Sequence, residues 1–182
     1  MITLVTGGAR SGKSAYAEKL IEDKFPGQPV LYIATASNTD GEMDSRIAIH
    51  RARRPENWRT AERWKFLDHI SMGEEPAVML DCMGFMLDNA FFEYIEDWDN
   101  PEEYDAERAE ELVKDEISRL ASLCNAMGKD LVLVTNEVGD GLVPATKVSR
   151  LYRDALGRFN CHVAALADHV ALVVCGIAVN IK

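Results

Sequence analysis

The chain has 182 residues, 47% of them hydrophobic and 27% charged, with a formal net charge of −10 at pH 7. Its length suits a single domain over 1–182 that buries a sizeable core, and its composition is that of an ordinary globular protein. The negative balance argues against a nucleic-acid partner, which needs a basic face, and without a run of roughly eighteen apolar residues or a leader-like start the expected compartment is the cytoplasm.

Ile2 to Val5 read as a buried strand, and Gly7-Gly8-Ala9-Arg10-Ser11-Gly12-Lys13-Ser14 fits G-x-x-x-x-G-K-[ST] without a mismatch. A helix over Lys13 to Lys24 completes strand, loop and helix, the setting in which this motif means a phosphate-binding loop. Glycines let several N–H groups turn inward around a triphosphate, and the helix start adds the positive end of its dipole. Lys13 is expected to reach the β- and γ-phosphates, and Ser14 to offer its hydroxyl to Mg2+.

Val30 to Ala34, VLYIA, form a second apolar run, so strands alternate with helices and the expected sheet is mostly parallel. Ligands gather at the carboxyl ends of such strands, which puts Ala34, Thr35 and Ala36 near the nucleotide. Glu42 to Arg53 read as a helix with Arg46, His50 and Arg53 on one face, a cationic face suited to a polyphosphate. On spacing alone, an exposed histidine of no consequence fits His50 equally well.

Trp58 to Glu62 read as a short extended piece, Phe66 to Met72 as a short helix, and Ala77 to Asp81 as a strand ending in an acid. Asp81 is a candidate Mg2+ ligand; its other reading is a turn signal. Gly84 to Ile95 read as helical with Asn89 inside the apolar pattern, and Asn100 is the expected cap of a long helix that Gly128 ends. Between Glu93 and Glu116 twelve acids face only Arg108 and Lys114, a run that reads as a solvated helix face.

Leu131 to Thr135 form the next buried strand, with Asn136 and Glu137 at its carboxyl end. Glu137 has two readings, positioning a hydroxyl or water for reaction and satisfying backbone groups in a turn. Ala145 to Ala167 read as a long helix, and two strands around Gly176 read as a closing antiparallel hairpin. The cysteines at 82, 124, 161 and 175 form no C-x-x-C pair and read as buried free thiols.

GGARSGKS at 7–14, R-I-x-x-H at 46–50 with RRP at 53–55, W-R-T-x-E at 58–62, TNEVG at 135–139 and R-D-x-x-G-R-x-N at 153–160 follow one another along the chain. In this combination the sequence resembles, from Ile2 to Lys182, the bifunctional adenosylcobinamide kinase and adenosylcobinamide-phosphate guanylyltransferase family of cobalamin biosynthesis. The resemblance implies a RecA-like P-loop α/β fold in three layers that phosphorylates adenosylcobinamide with GTP or ATP and then transfers GMP from GTP to that phosphate. It implies a guanylyl-histidine at His50, and nucleotide contacts from Gly7 to Ser14, from Ala34, Thr35 and Ala36, from His50, Arg51, Ala52 and Arg53, and from Glu62 and Cys82. It also implies a homo-oligomer, a trimer in the family. Without it, the first rival reading of the P-loop is a monofunctional small-molecule kinase and the second a RecA-type regulatory NTPase, against which the chain's compactness argues.

Overall fold

The structure, a computed structural model, describes residues 1–37 and 55–182. The expected helix Glu42 to Arg53, with Arg46, His50, Arg51, Ala52 and Arg53, lies outside the described residues. Apolar runs bounded by turn residues become strands where expected: β1 (Ile2–Thr6), β2 (Val30–Ala34), β3 (Trp58–Glu62), β4 (Ala77–Asp81) and β5 (Asp130–Val134). The sheet closes with β6 (His169–Val174) and β7 (Ile177–Asn180).

The seven strands run in the order β3-β2-β4-β5-β1-β6-β7, parallel except for the terminal β6–β7 pair. Cys175 at φ 53° and Gly176 at φ 79° make the two-residue turn between them, a left-handed pair whose twist suits a tight hairpin. Helix α1 (Lys13–Lys24) covers one face, where Ala17 and Ile21 bury against Val5, Met79, Val132 and Val134. Helices α2 (Met83–Tyr94), α3 (Glu103–Ala126) and α4 (Lys147–Leu166) cover the other, packed on Leu4, Leu31, Ile33, Leu80 and Leu133. These are the three layers of a P-loop α/β fold, and among the described residues no helix is long and apolar enough to cross a membrane.

Four local expectations give way. The helix expected from Phe66 to Met72 is a single 3-10 turn, Leu67–His69, because Phe66 enters it at φ 55° and Ile70 leaves it extended. Asn100 does not cap α3: the Asp97 carboxylate takes the N–H groups of Asp99 and Asn100, folding the loop on itself, and the helix starts later with Glu102 at its N-cap. The acidic run is not wholly solvated, since Glu110 and Glu116 are buried on α3. Cys161 and Cys175 are exposed, on the outer side of α4 and in the hairpin turn, while Cys82 and Cys124 are buried.

Candidate active site

The phosphate loop is built by close approach. A Cβ on Gly7 would stand 2.5 Å from the Val173 carbonyl oxygen and 2.7 Å from Ser11 Oγ, and a Cβ on Gly12 would stand 3.2 Å from Gly176 Cα. Only glycine lets the loop pass between β1 and the hairpin, and Gly12, at φ 92°, also opens α1 in a left-handed conformation. The loop is fastened by Ser11 N–H to the Gly8 carbonyl (3.2 Å) and by Gly176 N–H to the Ser11 carbonyl (2.7 Å). Lys13 is buried and donates to the Gly8 carbonyl at 3.2 Å, which folds its ammonium over the loop.

Several polar groups here are left for a ligand. No side chain caps the first turn of α1, so its N–H groups point out of the helix end toward the loop, an arrangement that suits an anion. Thr6 Oγ1 and Ser11 Oγ are buried without a hydrogen-bond partner among the described residues. Gly8, Ala9 and Arg10 form the exposed crest, with Arg10 at φ 58°.

Strand register then aligns the remaining candidates. Val5 pairs with Val134, Val134 with Asp81, Asp81 with Ala34 and Ala34 with Glu62, so the acids and the β2 turn occupy one row along the carboxyl edge. At about 4.8 Å per strand, that row runs roughly 19 Å from the phosphate-loop strand to Glu62. The scale is that of an extended nucleoside triphosphate.

The middle of the row is braced. Tyr32 donates its hydroxyl to Asp81 Oδ2 at 2.8 Å, fixing the carboxylate through one of its two oxygens. Thr35, fully buried, donates to the Cys82 carbonyl (2.7 Å) and accepts from the Cys82 N–H (3.0 Å) across a cis Asp81–Cys82 peptide. Asn89 of α2 donates to the Thr35 carbonyl (2.7 Å) and accepts from Ser37 (2.6 Å), so Thr35 and its neighbours are held from below. Burial, helped by the Asp81 charge, pushes the Cys82 thiol up to about 12 and keeps it an uncharged wall of the site.

The Ser14 hydroxyl and the Asp81 carboxylate are hard oxygen donors, the set that Mg2+ takes together with phosphate oxygens and water. Among the described residues no cluster of three or more His, Cys, Asp or Glu side chains could hold a metal ion. Glu137 donates its N–H to the Gly7 carbonyl (3.0 Å) and turns its carboxylate onto the Gly139 N–H (2.6 Å). One signal for the bracing residues stands in the sequence: Tyr32 is the one polar side chain of β2, and Asn89 stands with Asp88 within the mostly apolar first part of α2.

On the α2–α4 side of the site, Tyr152 donates to the Gly84 carbonyl at 3.1 Å and lies beside Asp88. Burial pushes the Asp88 carboxyl up to about 6 against the lowering effect of that hydroxyl, and burial with the nearby Asp88 charge pushes the Tyr152 phenol up as well.

Comparison with known proteins gives one consistent result. The family described as "Cobinamide kinase / cobinamide phosphate guanyltransferase" matches residues 3–181. The chain is 48% identical over 185 aligned positions to "Bifunctional adenosylcobalamin biosynthesis protein CobU" of Escherichia coli, and 45% identical to the protein of that name from Salmonella typhimurium, covering 100% of each chain. It is 38% identical to "Bifunctional adenosylcobalamin biosynthesis protein CobP" of Pseudomonas aeruginosa, covering 98% of that chain. Among solved structures, a KaiC-like protein from Pyrococcus horikoshii superposes with a TM-score of 0.48 at 12% identity over 94% of this chain and 69% of that one.

Proposed function

This chain belongs to the cobinamide kinase / cobinamide phosphate guanyltransferase family, and from that premise we propose two successive reactions on one phosphate cradle. In the first, the γ-phosphoryl group of GTP or ATP passes to the aminopropanol hydroxyl of adenosylcobinamide. In the second, GMP passes from GTP to the resulting phosphate, pyrophosphate leaves, and adenosylcobinamide-GDP is the product. The observation that carries this reading is the family match over residues 3–181, whose five motifs include a phosphate loop of the geometry described above.

The roles follow from the chemistry of the groups. Backbone N–H groups from Gly8 to Ser14 bind the phosphates, and Lys13 neutralises the charge gathering on the departing oxygens. Mg2+, held by Ser14 and Asp81, supplies further neutralisation across the phosphate oxygens when it is bound. Ala34, Thr35, Ala36 and Cys82 form the wall along the nucleotide, and Glu62, at the far end of the row, meets the ribose or base.

His50 is the proposed carrier of GMP, with Arg51, Ala52 and Arg53 beside the nucleotide. An ordinary histidine is largely neutral at pH 7, so a ring nitrogen can attack the α-phosphorus. A P–N bond forms as the bond to pyrophosphate breaks; the corrinoid phosphate oxygen then displaces the imidazole and restores it. Splitting the displacement lets the large second substrate enter after pyrophosphate has gone.

Mass spectrometry after incubation with GTP tests this directly. The expected result is one added GMP that maps to His50, absent from His50→Ala, which still phosphorylates adenosylcobinamide. An adduct on another residue, or none, overturns the transferase half and leaves a kinase. We place the enzyme in the cytoplasm as a homo-oligomer, a trimer by family likeness. The exposed apolar side chains of Ile177 and Val179 on the edge strand β7, with Ile181 just beyond it, support an assembly.

A further inference from the structure

Both residues that follow Thr135 carry polar side chains, and the structure treats them differently. Glu137 spends its carboxylate on its own turn through Gly139 N–H. Asn136 keeps its side chain unengaged while its backbone is held hard. Asn160 of α4 donates its amide to the Asn136 carbonyl at 3.0 Å and accepts the Thr135 hydroxyl at 2.7 Å, pinning the chain at Asn136 and immediately before it.

The Asn136 amide nitrogen lies 3.2 Å from the point a Cβ on Gly84 would occupy, with the Tyr152 hydroxyl 3.4 Å and Cys82 Sγ 3.6 Å from that same point. The missing side chain at Gly84 is therefore the space in which the amide sits, against the first turn of α2. None of the hydrogen bonds among the described residues uses either polar atom of this side chain.

Position along the edge gives that free amide a use. β5 lies between β1 and β4, with Val134 opposite Val5 on one side and Asp81 on the other. Two residues further on, Asn136 precedes Glu137, whose N–H reaches the Gly7 carbonyl at the root of the phosphate loop, and its amide lies beside Gly84, just past Asp81. In a phosphate-loop site Lys13 and the strand-end acid flank the β- and γ-phosphates. An uncharged donor between them faces the phosphoryl group without adding negative charge to repel it.

We propose that Asn136 is a catalytic residue of the kinase reaction, donating an amide hydrogen bond to the γ-phosphoryl group in transfer. The inference rests on the two-reaction reading above. As the acceptor oxygen forms its bond to the γ-phosphorus, the bond from that phosphorus to the bridging oxygen breaks, the nucleoside diphosphate leaves with its electron pair, and the hydroxyl proton goes to solvent. Charge spread over the three outer oxygens meets a donor already fixed by Asn160 and seated at Gly84, so little reorganisation is needed at the moment of transfer. Guanylyl transfer reacts at the α-phosphorus and has no need of this contact.

The test compares both reactions in the full chain with Asn136→Ala and Asn136→Asp. One assay follows γ-labelled ATP into adenosylcobinamide, and the other follows label retained from α-labelled GTP. For Asn136→Ala the expected result is a fall of about 10- to 100-fold in kcat for phosphorylation, with KM for nucleotide and acceptor within about twofold and label retention unchanged. Asn136→Asp, of the same shape but with a charge in place of the donor, falls at least as far. Melting temperatures should match the unsubstituted chain, because the side chain holds nothing else. An unchanged kcat, or equal losses in both reactions, overturns the proposal. A failure of the underlying reading looks different: the unsubstituted chain itself would then phosphorylate no corrinoid.

Discussion

Around Gly7 to Ser14, polar groups stand open: among the described residues Thr6 Oγ1 and Ser11 Oγ are buried without partners, and the first turn of α1 has no side-chain cap. Along α3 the buried carboxylates are closed. Glu110 pairs with Arg158 at 2.6 Å and Lys114 at 2.7 Å, and Glu116 takes the buried Leu67 N–H at 2.9 Å and pairs with Arg119. A buried polar atom is costly unless it is paired, so the loop keeps an unmet demand that suits the proposed triphosphate, whereas the helix has met its own. One region is built to bind, and the other to hold its layer in place.

Three substitutions sharpen or break that contrast. The largest effect is expected at Gly7→Ala, whose new methyl would stand 2.5 Å from the Val173 carbonyl. Either the loop or β6 must move, so kcat/KM for both reactions should drop by more than about 100-fold, since misplacement by an ångström is enough for that. Steady-state assays check this; near-normal rates would mean that the loop geometry is not what activates the phosphates.

Next comes Glu116→Ala, which strands the Leu67 N–H and should cost about 2–3 kcal/mol in chemical denaturation with kcat unaltered. Glu116→Gln keeps an acceptor and should recover most of that loss. Equal losses for the two would assign the effect to the ion pair with Arg119, whose own side chain is close to half exposed.

The smallest effect is expected on the seam between the regions, at Asp88. Its carboxyl is raised from 3.8 to about 6 by burial, so the folded state holds this proton more tightly than the unfolded chain. The stabilising contribution is complete below pH ~4 and is lost as pH rises through about 6. Asp88→Asn should therefore be more stable than the parent by about 1–2 kcal/mol at pH 8, with the gain vanishing near pH 4. Denaturation curves at both values decide it, and a gain that does not depend on pH would remove the buried charge as its cause.

The phosphate loop was legible because its signal is local: eight residues at fixed spacing, with a strand before and a helix after. β2 and β4 appear with the expected bounds, since VLYIA and AVMLD are short apolar runs closed by turn chemistry. What stayed hidden depends on partners far along the chain. Glu110 and Glu116 look like any solvated acids until Arg158 and Leu67, 48 and 49 residues away, are folded against them. Glu137 and Asn136 are adjacent and both polar, so composition favoured the charged residue; only the Gly139 N–H and the vacancy at Gly84 tell them apart. Tyr32 and Asn89 were visible as interruptions, but their grip on Asp81 and Thr35 needed the strand register.

The hairpin turn donates Gly176 N–H to the Ser11 carbonyl, and β1 lies between β5 and β6, both of which come far later in the chain. During synthesis the signature residues therefore leave the ribosome long before the walls that shape them exist. A nascent chain halted ahead of the hairpin carries the whole phosphate motif and still lacks its buttress. The loop's buttress, and any stability that a bound ligand adds to the folded state, both wait on the closed hairpin.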